Sequence, residues 1–110
     1  MPDRESSAKG LLLVMMEVQP EFEEEFNRWY NEEHLPERLG CPGFLSARRF
    51  RAVDGQPKYL ALYDLESADV LHSEAYLKLR NPDTPWTLRV FEHLTTNIRN
   101  VYEDITPPRA

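Results

Sequence analysis

Residues 44–65, FLSARRFRAVDGQPKYLALYDL, decide the fold. Residues 44–53 and 58–65 are short apolar and aromatic runs of strand length. Between them lies Asp54-Gly55, the strongest short-range hairpin signal in the chain. A hairpin in mid-chain must be flanked by units that cover it. On the N-terminal side, residues 11–18 (LLLVMMEV) form a short apolar run bounded by Gly10 and Pro20, which predicts a first strand. From Pro20 the period changes: Phe22, Phe26, Trp29, Tyr30 and His34 recur at spacings of three and four, after an acidic first turn at Glu21 and Glu23 to Glu25. This helix is expected to end near His34, because Pro36 disfavours helical geometry at Leu35. On the C-terminal side, Ser67 is a helix N-cap ahead of Val70, Leu71, Ala75, Leu77 and Leu79. Thr84-Pro85 opens a further short helix, and residues 95–105 form the last strand.

The order is β-α-β-β-α-β with an extra short helix before the last strand. That is an α+β, ferredoxin-like arrangement, an antiparallel four-stranded sheet with helices on one face. We expect one domain over residues 10–105, a flexible N-terminus over 1–9 and a loose tail over 106–110. The other sheet face must be solvated, paired or wrapped around a ligand. Alternation predicts that Leu12, Val14, Met16, Val18, Leu45, Ala47, Leu60, Leu62 and Ile98 form the helix-covered face. The open face would then carry Leu11, Leu13, Met15, Glu17, Phe44, Ser46, Arg48, Phe50, Tyr59, Ala61, Tyr63, Asn97, Arg99 and Val101. Such a mixed, largely apolar surface fits a homodimer interface, a small-molecule pocket, or both. One bulge would exchange Arg48 for Arg49.

Composition excludes other classes. The chain has 110 residues, 13 basic and 19 acidic, for a formal charge of −6. That balance argues against nucleic acid as a partner, which needs a basic face. The longest apolar run, residues 11–16, is six residues, against about 18 for a membrane span. The polar start MPDRESSAK is unlike a secretory signal, and a single Cys41 fits a reducing compartment. The expectation is a cytoplasmic domain with neither membrane nor nucleic-acid partners.

His34 is the leading candidate acid or base. It follows Tyr30 by four residues, at the inner edge of the helix's apolar stripe and near its C-terminal end. That position favours imidazolium, and Glu33 or Glu37 would add to it. The structural alternative is a histidine that caps the helix. Tyr63 is the candidate oxyanion donor, and Arg48 and Arg99 are candidates to hold a carboxylate, phenolate or enolate. Tyr59 shares their face, while Trp86 and Trp29 are candidate pocket walls. The same Arg, Glu17 and Tyr groups would equally satisfy a dimer seam. His34, His72 and His93 stand on separate helical segments without metal-ligand spacing, so no metal is expected.

The stretches 15–50 (MMEVQPEFEEEFNRWYNEEHLPERLGCPGFLSARRF), 58–67 (KYLALYDLES) and 84–93 (TPWTLRVFEH) carry a resemblance. The combination W-Y-x-x-E-H-x-P, then P-G-F, then R-R-F resembles the dimeric α/β-barrel superfamily, in its EthD-like branch or a related bacterial family. The resemblance implies two subunits packed sheet to sheet, with a pocket in each between sheet and helices, and His34 at a recurrent acid–base position. The superfamily spans isomerases, cyclases, decarboxylases, monooxygenases, haem degraders and non-catalytic sensors, and fold does not choose among them. The first expectation is a homodimeric, cofactor-independent enzyme of isomerase, lyase or cyclase type acting on a hydrophobic cyclic or aromatic molecule. The alternatives are a ligand-binding or accessory protein, or a monooxygenase that is cofactor-free or haem-dependent. Haem is the cofactor alternative, with His72 or His93 as axial ligand.

Overall fold

The structure is a computed structural model that describes residues 9–108. The expected flexible N-terminus falls outside it except for Lys9, whose N–H donates to Leu65 O at 3.0 Å. Four strands, β1 (Gly10–Val18), β2 (Phe44–Arg51), β3 (Tyr59–Leu65) and β4 (Leu94–Glu103), form one antiparallel sheet in the order β2-β3-β1-β4. The helical segments include α1 (Glu23–Trp29), α2 (Leu35–Leu39), α3 (Glu74–Arg80) and α4 (Pro85–Phe91). They pack on one sheet face, giving the expected ferredoxin-like α+β architecture.

The first helix does not stop at His34. A 3-10 turn at Pro20–Phe22 leads into α1, then a π-helical turn at Tyr30–His34, then α2. The Leu35 N–H reaches back to Tyr30 O across the widened turn. Pro36 follows directly and lacks the N–H that an α-helical turn would use; widening the preceding turn accommodates its ring. The helix is therefore carried through, and Tyr30, His34 and Arg38 all turn inward, each of them buried.

Ser67 and Thr84 cap as predicted, their hydroxyls accepting from Asp69 N and Thr87 N. The predicted single helix after Ser67 is broken by a second cap, Ser73, into a 3-10 segment and α3. The hairpin joins Arg51 to Tyr59 through a longer loop in which Ala52 N–H donates to Lys58 O at 2.7 Å.

Face assignment is right for β1 and reversed for β3 and β4. Tyr63, Ala61 and Tyr59 stand opposite Leu12, Val14 and Met16, so the tyrosines face the helices and Leu60 and Leu62 face the open side. On β4, Val101, Arg99 and Asn97 share that helix side, while Ile98 lies on the open one. A bulge between Phe44 and Ser46 buries Phe44 and turns Leu45 outward. Arg48 and Phe50 stay on the open face, and Arg49 faces the helices. The open face thus carries Leu11, Leu13, Met15, Phe50, Leu60, Leu62 and Ile98 at its centre, with Glu17, Ser46, Arg48, Asp64 and Asn100 around them.

Candidate functional site

Between the helix layer and the β1–β4 half of the sheet lies a cleft of about 70 Å³. Its floor is the apolar row Leu12, Val14 and Met16, with Phe91 from α4. Its polar lining is His34, Arg38, Tyr63, Tyr76, Arg80, Asp83, Asn97 and Arg99. Because β4 is an edge strand whose Asn97 and Arg99 are exposed, the cleft opens along that edge.

His34 is 6% exposed, with Trp29 at 4.5 Å and Tyr30 at 4.9 Å between ring centroids. Its Nδ1 is buried without a hydrogen-bond partner. Burial, reinforced by the positive charges of Arg38, Arg49 and Arg80, holds its pKa well below the ordinary value. The imidazole is neutral, which corrects the expected imidazolium: His34 lies inside a continuous helix, not at a helix C-terminus. Glu33 does not assist it, but accepts from the hydroxyls of Thr84 and Thr87.

Tyr63 is 1% exposed and shares a 2.7 Å hydrogen bond with the Tyr30 hydroxyl. Burial raises the Tyr63 pKa strongly and pushes Tyr30 up to about 12, so both are neutral phenols at pH 7. Arg99 donates from Nη2 to the Tyr76 hydroxyl at 3.2 Å. The guanidinium carbons of Arg38 and Arg80 lie 5.5 and 5.8 Å from the Tyr76 ring centroid.

The other candidates lie elsewhere. Arg48 is on the open face, 5.2 Å over the Phe50 ring. Arg49, its neighbour, is half-buried over Tyr30 at 4.4 Å and donates to Asn27 and Asn31 of the first helix, outside the lining of the cleft. Tyr59 donates to Glu23 and accepts from Asn27 Nδ2 at 3.1 Å, outside the cleft. Trp29 is fully buried behind His34, its Nε1–H donating to Thr87 Oγ1 at 3.1 Å. Trp86 lines a separate surface recess, with the Arg28 guanidinium 5.6 Å over its ring. The cleft therefore brings together His34, Tyr63 and Arg99 from the candidate set, and not Arg48, Tyr59, Trp29 or Trp86.

Arg38, Tyr76 and Arg80 were missed. Arg38 has a sequence signal, since it follows His34 by four residues, but only if the helix runs past Pro36. Tyr76 and Arg80 share the same four-residue spacing on α3, and nothing local says that this face meets β4.

Similarity to solved structures agrees with the fold. A dimeric ferredoxin-like protein from an uncultured marine organism superposes with a TM-score of 0.70 at 14% identity, covering 94% of this chain and 93% of that one. A monooxygenase from the gene ActVA-Orf6 of Streptomyces coelicolor, in complex with Nanaomycin D, gives 0.69 at 15% identity, with 94% and 93% covered. A mutant of MhuD with two manganese protoporphyrin IX molecules bound per active site gives 0.64 at 15% identity, covering 92% and 99%. No curated protein matches the chain.

The MhuD comparison corrects the expectation of no cofactor, because this fold accommodates porphyrin in an active site. In the present chain, however, a cleft of about 70 Å³ does not fit a porphyrin, when pockets for drug-sized ligands run to about 300–1,000 Å³. Neither proposed axial ligand reaches it: His93 Nδ1 is 2.7 Å from Gln19 Oε1 with its ring stacked on Phe22, and His72 is exposed at the end of a 3-10 segment. Among the described residues no group of three or more His, Cys, Asp or Glu side chains is arranged to hold a metal ion. The sequence itself carries the final comparison: residues 10–103 match the family model described as "Domain of unknown function (DUF4286)", and the chain belongs to that family.

Proposed function

We propose that this protein is a monooxygenase-type enzyme that binds a small hydrophobic, aromatic molecule in the cleft between sheet and helices. The observation that carries this reading is His34: a neutral, buried imidazole at an apolar cleft, with an unpartnered Nδ1. A neutral histidine can take a proton at pH 7, and removing a phenolic proton raises the electron density of a ring toward dioxygen. Tyr63, a neutral phenol oriented by Tyr30, donates to the oxygen on which negative charge develops. Arg99 orients the substrate from the β4 wall. The likeness to a monooxygenase in complex with Nanaomycin D supports this over the isomerase, lyase or cyclase first expected. Proton abstraction by His34 would serve either, so the discriminating observable is the fate of dioxygen.

The working unit is a homodimer formed through the open, apolar sheet face, in the cytoplasm, where the buried free Cys41 stays reduced. Among the described residues no helix is long and apolar enough to cross a membrane. The H-x-P segment at 34–36 keeps kinship with the EthD-like branch as part of this reading.

The test is turnover of 1,4-hydroquinone and 2,5-dihydroxybenzoate under labelled dioxygen, with and without added haemin. The hydroquinone itself supplies the two electrons, so that one atom of dioxygen enters the ring to give the hydroxyquinone and the other leaves as water. Mass spectrometry should find one labelled oxygen in the product, and His34→Gln should abolish it while the protein stays folded. Turnover without label would hand the site back to the proton-transfer reading; no turnover under either condition would remove the enzymatic one.

A further inference from the structure

Three guanidinium groups in the cleft converge on a phenol rather than on an acid. Tyr76, 2% exposed, has Arg38 and Arg80 over its ring and Arg99 at its hydroxyl. Arg80 reaches Tyr76 from the next turn of α3, whereas Arg38 on α2 and Arg99 on β4 come from other elements, so chain proximity does not explain their meeting. Of the three only Arg38 is buried, Arg80 and Arg99 being exposed at the rim of the cleft. A buried cation ordinarily sits against a carboxylate, because desolvating a lone charge is costly. Here the compensation is thin. Arg38, only 7% exposed, has Glu37 at 3.6 Å from Nη1, a neighbour in sequence and outside ordinary hydrogen-bond distance. Among the described residues, Arg80 and Arg99 form no ion pair. Among the described residues Asp83 is the only carboxylate lining the cleft, and His34, which also lines it, is neutral. The cleft therefore carries an excess of positive charge over an apolar floor of Leu12, Val14, Met16 and Phe91.

We propose that the guanidiniums around Tyr76 form an anion-recognition site, and that the natural ligand is an aromatic carboxylate. In this arrangement Arg38 and Arg99 hold the carboxylate from opposite walls, and the ring lies on the Leu12–Val14–Met16 row near His34 and Tyr63. A planar fork of N–H donors matches a carboxylate's two oxygens. A dianion such as a phosphate monoester would fit less well, since most of the cleft is apolar and small. The inference deepens the oxygenase reading and rests on the same cleft, but it concerns binding, which needs neither dioxygen nor turnover.

The experiment is calorimetric titration of the full chain at pH 7.5 with three one-ring probes: benzoate, its neutral isostere benzamide, and phenyl phosphate. Benzoate should bind at least about tenfold more tightly than benzamide, the discrimination expected when charge-assisted hydrogen bonds are lost. Arg38→Gln and Arg99→Gln should each weaken benzoate about tenfold and leave benzamide nearly unchanged. Arg51→Gln, a surface change on β2, should leave all three alone. Arg99 is exposed, and among the described residues its side chain's hydrogen-bond partner is Tyr76, so its variant reports even if Arg38→Gln fails to fold. Equal affinity for benzoate and benzamide, no benzoate binding at millimolar concentration, or unchanged binding in folded Arg99→Gln would each overturn the proposal. Tighter binding of phenyl phosphate would replace the carboxylate with a phosphate. Failure of oxygenation with benzoate binding intact would remove the oxygenase reading and leave this one standing.

Discussion

His34 pays for its burial in acid. The unfolded chain protonates this histidine near its ordinary pKa of 6.5, whereas the folded protein resists protonation well below that value. Between the two values the unfolded state binds more protons, so the stability that neutral His34 contributes is complete above pH 6.5 and is lost as pH falls below it. A thermal melting series from pH 7.5 to 5 should show a falling Tm that flattens in His34→Gln; identical slopes would assign the acid response to other groups. Glu23 acts lower on the scale. Hydrogen bonds from Lys58 and Tyr59 depress its pKa from 4.5, so its contribution disappears only below that pH. The Tyr30–Tyr63 pair provides a second residue-scale test. Tyr63→Phe strands a buried Tyr30 hydroxyl and should cost about 1–3 kcal/mol, while the double Phe variant should recover much of the loss. Urea unfolding of the singles and the double variant measures the coupling directly.

Among the elements, the turn from α2 into β2 is constrained both in backbone conformation and in space. Gly43 adopts φ +95°, and a Cβ built on it would meet Val70 Cγ2 at 2.5 Å. Gly55, in the hairpin loop, adopts φ +103° with open space around it. The two glycines separate backbone preference from packing. Gly55→Ala should cost about 1–2 kcal/mol for the left-handed conformation alone. Gly43→Ala should cost more, because the Val70 side chain must also move, and the difference in unfolding free energy isolates that second contribution. Capping chemistry at this scale was legible: Ser67 and Thr84-Pro85 stand where local preference puts them. The continuation of the helix through Pro36 was not legible, because proline's local rule says stop. The π turn is a tertiary accommodation, held by burying Trp29, Tyr30 and His34 against the sheet.

For the whole molecule, the open sheet face makes the strongest demand. Leu13 stands opposite Leu62, and Met15 opposite both Leu60 and Ile98, so one apolar patch runs across β3, β1 and β4. Such a patch is unfavourable in water and is expected to be covered by a second copy. Sedimentation should give a particle of about twice 12.9 kDa. Leu13→Asp, at the centre of the patch, should yield a monomer with a lower Tm; an unchanged sedimentation coefficient would refute the sheet-to-sheet dimer. The cleft lies on the opposite side of the sheet, so the monomeric variant should keep the polar lining around Tyr76.

The amino-acid sequence by itself determined the element order, the ferredoxin-like topology, most of the helix caps and the inward histidine. These follow from local periods and turn residues, which act over a few positions. Only the tertiary structure decided which face of β3 and β4 meets the helices, and therefore which side chains share the cleft. The reason is physical. Alternation identifies a buried face only when the other face is polar, and here Leu60 and Leu62 on one side compete with Tyr59 and Tyr63 on the other. The tyrosines turn inward because Tyr30, Glu23 and Asn27 satisfy their hydroxyls there, while the leucines remain on the open face. That choice moved Arg48 out of the candidate site and, together with the β4 register, brought Arg99 into it beside Arg38, Tyr76 and His34.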